Sequence, residues 1–148
     1  MTHISEIVDI FMMLQSDYRL KQIFSTQGEA RLNQYVEAWL ILSISDFQKY
    51  CDQDLVYDKV TQTFSIDLNT QNLTVLAQIM VKYWLEKEVR DVLQFRLTLQ
   101  DHDFKTYSQA QNLDSKRQLL TLQIEEVDKL LLNYSYQHNV GWLTELGG

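Results

Sequence analysis

Imidazole and carboxylate side by side, as in Asp101-His102-Asp103, are the groups that ligate metals or carry protons. Three consecutive residues do not converge on one ion, and the other histidines, His3 and His138, lie near opposite ends of the sequence. A helix is expected to begin just after this stretch, where acids satisfy free amides and oppose the positive end of the helix dipole. The cluster therefore reads as a helix start. Asp52, Asp54 and Asp58 resemble the opening of a calcium loop, but the glycine needed at its sixth position is Tyr57 and the glutamate needed at its twelfth is Thr63. An exposed acidic turn is the better reading.

Cys51 has no histidine near it in sequence to act as a base, so a packed thiol is expected there rather than a nucleophile. As the only cysteine it excludes an internal disulfide and a cysteine-cluster zinc site, and it fits a reducing cytoplasm. Lys82, Lys87, Arg90 and Arg96 alternate with Glu86, Glu88 and Asp91 at spacings that form pairs along a solvated helix face. Only Gly28 and Gly141 lie inside the chain, too few for a phosphate-binding loop. The sequence predicts no catalytic residue, no cofactor and no metal site, and so no enzyme.

The elements around these residues follow from composition and period. With 148 residues, 45% of them apolar, the chain is long enough for one domain around one core. No proline and four glycines leave little to interrupt helices. Thirteen basic against twenty acidic residues give a net charge of −7, the wrong sign for affinity that comes from neutralising phosphates. Apolar runs such as Ala38–Leu42 are far shorter than the ~20 residues that span a bilayer, and no basic run precedes an apolar block at the start. Neither a membrane span nor export by that route is expected.

Ile4, Ile7, Val8, Phe11 and Leu14 predict a first helix over about Ser5 to Gln15, with Thr2 as its cap. Asp17 caps a short second helix carrying Leu20, Ile23 and Phe24. Thr26-Gln27-Gly28-Glu29 has the spacing of a capping box for a third, whose stripe is Leu32, Tyr35, Val36, Trp39 and Leu40, continuing through Phe47 and Tyr50. Alternation at Val56, Asp58, Val60 and then Phe64, Ser65, Ile66 predicts a small hairpin within 55–68.

Asn69 or Thr70 starts a long fourth helix, apolar on more than one side and therefore central. A fifth runs to about Tyr136 with a seam of Leu113, Leu120, Ile124, Val127, Leu131 and Tyr134, the narrow stripe that packs a second long helix at a shallow angle. The fold expected is mainly α: a bundle of about five helices, two of them long and in the second half, with a small β-hairpin. Residues 1–136 form the domain and 137–148 an extended tail. Tyr134, Tyr136, Trp142, Leu143 and Leu146 crowd the end of the chain, which is ordinarily polar, and are the candidate interface residues. Docking on a partner and folding back over the same domain both explain them.

Three stretches carry a family likeness: Phe47–Leu55; Phe64–Leu68 leading into Leu76–Leu85; and Asp103–Leu113. In these the chain resembles the head–tail connector or adaptor proteins of the tailed-bacteriophage neck. That resemblance implies a homo-oligomeric ring, often of twelve copies, between the portal protein and the tail or head-closure proteins. It implies a virion location after assembly in the host cytoplasm. DNA would pass through the ring without specific binding, which suits an acidic surface. A helical regulatory module binding one host or phage protein, or another tail component, is the competing expectation.

Overall fold

The computed structural model describes residues 1–15, 17–98 and 103–146, with side chains at 1–15, 17–94 and 113–138. The protein is mainly helical, with five helices and one two-stranded antiparallel sheet among the described residues. Helix α1 (Ile4–Leu14) is capped one residue later than expected. His3 Nδ1 accepts the Ser5 amide at 3.1 Å, and Glu6 reaches back to the His3 amide at 3.1 Å. Thr2 is instead buried, its hydroxyl accepting the Leu68 amide at 2.8 Å while its carbonyl accepts that of Phe64 at 2.7 Å. The first residues thus line the hairpin edge, which fixes where α1 enters the core.

Asp17 caps α2 (Tyr18–Gln27) by accepting the Arg19 amide at 2.9 Å. The expected box at Thr26 does not form, because Thr26 lies inside α2 and its hydroxyl donates to the Gln22 carbonyl. The chain breaks instead at Gly28, whose φ of +88° suits only a residue without a Cβ, and α3 (Glu29–Phe47) starts there without a side-chain cap. Helix α3 stops at Phe47, short of Tyr50, and the Gln48 side chain turns to accept the Leu55 amide at 2.8 Å.

The hairpin pairs β1 (Tyr57–Asp58) with β2 (Thr63–Phe64), Tyr57 opposite Phe64. Phe64 is buried, whereas Val56 and Val60 face solvent. Asn69 Oδ1 accepts the Asn72 amide at 2.8 Å and starts α4 (Thr70–Thr98). Leu76, Ile79, Met80, Val81, Leu85 and Val89 are all buried around it, and it packs against α1, α3 and α5, as its several apolar sides require. It is the central element.

Helix α5 (Asp103–Leu146) lies along α4 with Leu113, Val127 and Tyr134 buried and Leu120 and Leu131 partly so, while Ile124 falls outside the seam and is exposed. No extended tail starts at 137: the backbone is helical to Leu146. The isolated Gly141 costs only about 1 kcal/mol, no proline follows, and each added residue closes one more intrahelical bond. With 44 residues against 29, α5 is about 66 Å long and α4 about 44 Å at 1.5 Å per residue. One hydrophobic cluster draws on all five helices and the hairpin. Among the described residues no helix is long and apolar enough to cross a membrane.

Candidate functional site

Two places on the molecule gather the residues singled out by chemistry or by exposed apolar area. The first lies where the loop after α3 meets the start of α4 and the later turns of α5. The Tyr134 hydroxyl, on a ring 2% exposed, donates to Asp52 Oδ1 and accepts the Asp52 amide at 3.0 Å. Asn72 Nδ2 donates to Asp52 Oδ1 at 3.1 Å and to Gln53 Oε1 at 2.6 Å. His138 Nδ1 stands 3.7 Å from Asp52 Oδ2, its ring 4.2 Å from that of Tyr134. The thiol of Cys51 is 3.8 Å from the Tyr134 hydroxyl.

Thiol, imidazole and carboxylate thus share one corner, although sequence offered Cys51 no nearby histidine. Their electrostatics oppose nucleophilic chemistry. Burial holds the Cys51 thiol above its ordinary value and so protonated near neutral pH. The hydrogen bonds from Tyr134 and then Asn72 lower the Asp52 carboxyl, and burial raises the Tyr134 phenol. The arrangement is a clasp that ties α5 to the body.

The acidic residues flagged in sequence do not converge. Asp58 Oδ1 accepts the Val60 amide in the hairpin turn, Asp54 is exposed, and Asp52 belongs to the clasp. Among the described residues no group of three or more His, Cys, Asp or Glu is placed to hold a metal. Asp101 and His102 lie outside the described residues, and Asp103 is the first residue of α5.

Of the charged residues of α4, Lys87 pairs with Asp91 at 2.7 Å along the helix, but Lys82 reaches Asp46 of α3 at 3.5 Å. Glu88 departs from the solvated-face expectation. It is 6% exposed, bonded to Arg19 of α2 and, at 2.7 Å, to Lys116 of α5. The Arg96 side chain lies outside the described residues.

The second place is the outer side of α5. Tyr134, a candidate interface residue, is inside the protein, whereas Tyr136 is 72% exposed. Trp142, Leu143 and Leu146 are on the α5 backbone, with side chains outside the described residues. Leu119, Leu122 and Leu132 are exposed too, and sequence reasoning missed them because leucines on both sides of one helix mask each other's period. The missed signal is a second register, Leu122, Glu125, Lys129 and Leu132 in steps of three and four, which Leu119 beside it does not join.

Val81, Trp84 and Leu85 of α4, with Leu119 and Leu122 of α5 and Leu14 of α1, line an open groove of about 550 Å³, and Glu125, Glu126 and Lys129 also border it. Gln71 Nε2 donates to Gln137 Oε1 at 3.0 Å, so α5 reaches the first turn of α4 at that point and residues 138–146 continue beyond it. Apolar side chains thus remain open to solvent along this part of α5. Comparison with known protein families, curated proteins and solved structures finds no match.

Proposed function

We propose that the chain is a non-enzymatic structural subunit of a tailed-bacteriophage particle, a head–tail connector or adaptor of the neck that joins the portal to the tail or head-closure proteins. The observation that carries the reading is α5: it outruns α4 and bears exposed Leu119, Leu122, Leu132 and Tyr136 in addition to its inward seam. A helix that packs on its own body with one face and keeps apolar area on another is suited to building a wall from copies of itself. The net charge of −7 supports a conduit that DNA traverses without adhering. In this reading the subunit assembles in the host cytoplasm and ends in the virion neck.

Mass photometry and negative-stain microscopy of the purified chain, alone and with portal rings encoded in the same genome, test the reading. The expected result is an annular layer added to the portal. A chain that ignores portal rings overturns it, and one that instead binds a single host or phage protein one to one would be a helical regulatory module.

A further inference from the structure

The outer side of α5 carries an order of its own. Gln118, Leu122, Glu125, Lys129, Leu132 and Tyr136 succeed one another in alternating steps of four and three, and all six are exposed. Leu122 and Leu132 are 61% and 67% exposed, and Glu125 and Lys129 make no ion pair with a described residue. Steps of this kind keep one seam on a helix facing one neighbouring helix. From Gln118 to Tyr136 the seam spans about 27 Å at 1.5 Å per residue.

The seam is self-complementary in one direction only. Laid antiparallel on a second copy about the level of Val127, Leu122 meets the partner's Leu132, Glu125 meets the partner's Lys129, and Gln118 meets the partner's Tyr136. The same three contacts then repeat through the two-fold axis, as an isologous interface requires. An in-register parallel pairing would set Glu125 against Glu125 and Lys129 against Lys129, with like charges opposed. Shallow depressions beside Leu122, lined by Arg117, Gln118 and Thr121, and beside Leu132, lined by Tyr50, Asp128 and Ser135, offer room for the incoming leucines.

We infer that the free chain forms a two-fold dimer through this outer face of α5, antiparallel and centred at Val127, with Glu125 and Lys129 setting the register. The inference concerns the free chain and does not rest on the connector reading. Pairing covers Leu122 and Leu132 before any larger assembly forms.

Sedimentation equilibrium of the full chain tests it by charge exchange. Wild type is a dimer. Glu125→Lys and Lys129→Glu each weaken dimerisation by about tenfold or more, because each opposes like charges twice across the axis. The double exchange E125K/K129E regains the wild-type constant, since the pairs re-form with signs reversed. Far-UV circular dichroism of all three variants matches wild type, these positions being exposed. A wild-type chain that stays monomeric, a dimer indifferent to the single exchanges, or a double exchange no better than either single overturns the inference.

Discussion

Tyr134 of α5 and Asp52 of the loop after α3 are joined twice, the phenol donating to the carboxylate and accepting the backbone amide at 3.0 Å. The ring of Tyr134 also stands edge-on to Phe47 at 5.0 Å between centroids, so hydroxyl and ring act on the same corner by different means. Tyr134→Phe keeps the ring and removes both bonds to an exposed partner, and should cost about 1–2 kcal/mol. Tyr134→Ala also opens a cavity and should cost about 3–5 kcal/mol. Urea denaturation separates the two, and equal losses would mean that the ring contributes no packing.

Stability should fall above pH 10 in a way that three tyrosines share. Burial raises Tyr57, Tyr83 and Tyr134 above the ordinary phenol value, with the charge of Glu37 adding at Tyr57 and the Asp46 hydrogen bond adding at Tyr83. A raised folded value means that the unfolded chain gives up these protons first. Their contribution is complete below about pH 10 and is lost as pH rises through the folded values. The lowered Asp52 carboxyl works in the opposite direction, its contribution being present above about pH 4 and lost as pH falls through the folded value. Urea midpoints across pH 8–11 should drop on the alkaline side, and Tyr83→Phe should flatten that drop. An unchanged slope in the variant would remove Tyr83 from the account.

Helix placement was legible wherever one residue type had one local role: Asp17 and Asn69 cap as their side chains suggest, and the periodicity of α4 on several sides made it central. Thr2 and Thr26 were misread because a hydroxyl bonds whatever amide or carbonyl tertiary structure brings to it, and Thr2 meets Leu68 across the hairpin. The clasp was invisible for a similar reason. Asp52, Asn72, Tyr134 and His138 are distant in sequence, and only the packing of α5 along α4 brings them together. Glu88 looked like one more surface acid because its partners, Arg19 and Lys116, belong to two other helices.

Glu88 should be the costliest acid to remove. It is buried and joins three helices, whereas the side chain of Arg19 is 58% exposed and can be rehydrated when its partner is lost. Glu88→Gln should lower stability by about 1.5–3 kcal/mol, the range for a hydrogen bond to a charged group. Arg19→Ala should leave Lys116 still paired and cost less than about 1 kcal/mol, being largely exposed. Thermal melts at matched salt decide the order, and a larger loss for Arg19→Ala would reverse it.

Trp84 has two attachments that substitution can split. Its indole nitrogen donates to Asp17 Oδ2 at 2.9 Å, tying the cap of α2 to α4, while its ring forms part of the groove wall beside α5. Trp84→Phe should cost about 1 kcal/mol for the lost bond, and Trp84→Ala about 3–5 kcal/mol for the ring as well. A negligible loss for the alanine variant would show that the core does not depend on this side of α4.

The turns of α5 past Gln137 distinguish a role in folding from one in assembly. Gln137 is bonded to Gln71 in the first turn of α4, and the α5 backbone continues past that point to Leu146. If they serve association, Trp142→Ala should weaken capture by portal rings by about 2 kcal/mol or more, as loss of a buried aromatic anchor does. The melting temperature of the subunit should hardly move, because Tyr134 and the seam from Leu113 to Leu131 remain intact. Paired measurements of melting and portal binding test both halves. A large fall in melting temperature with unchanged binding would assign Trp142 to the subunit's own fold and leave association to the outer leucines of α5.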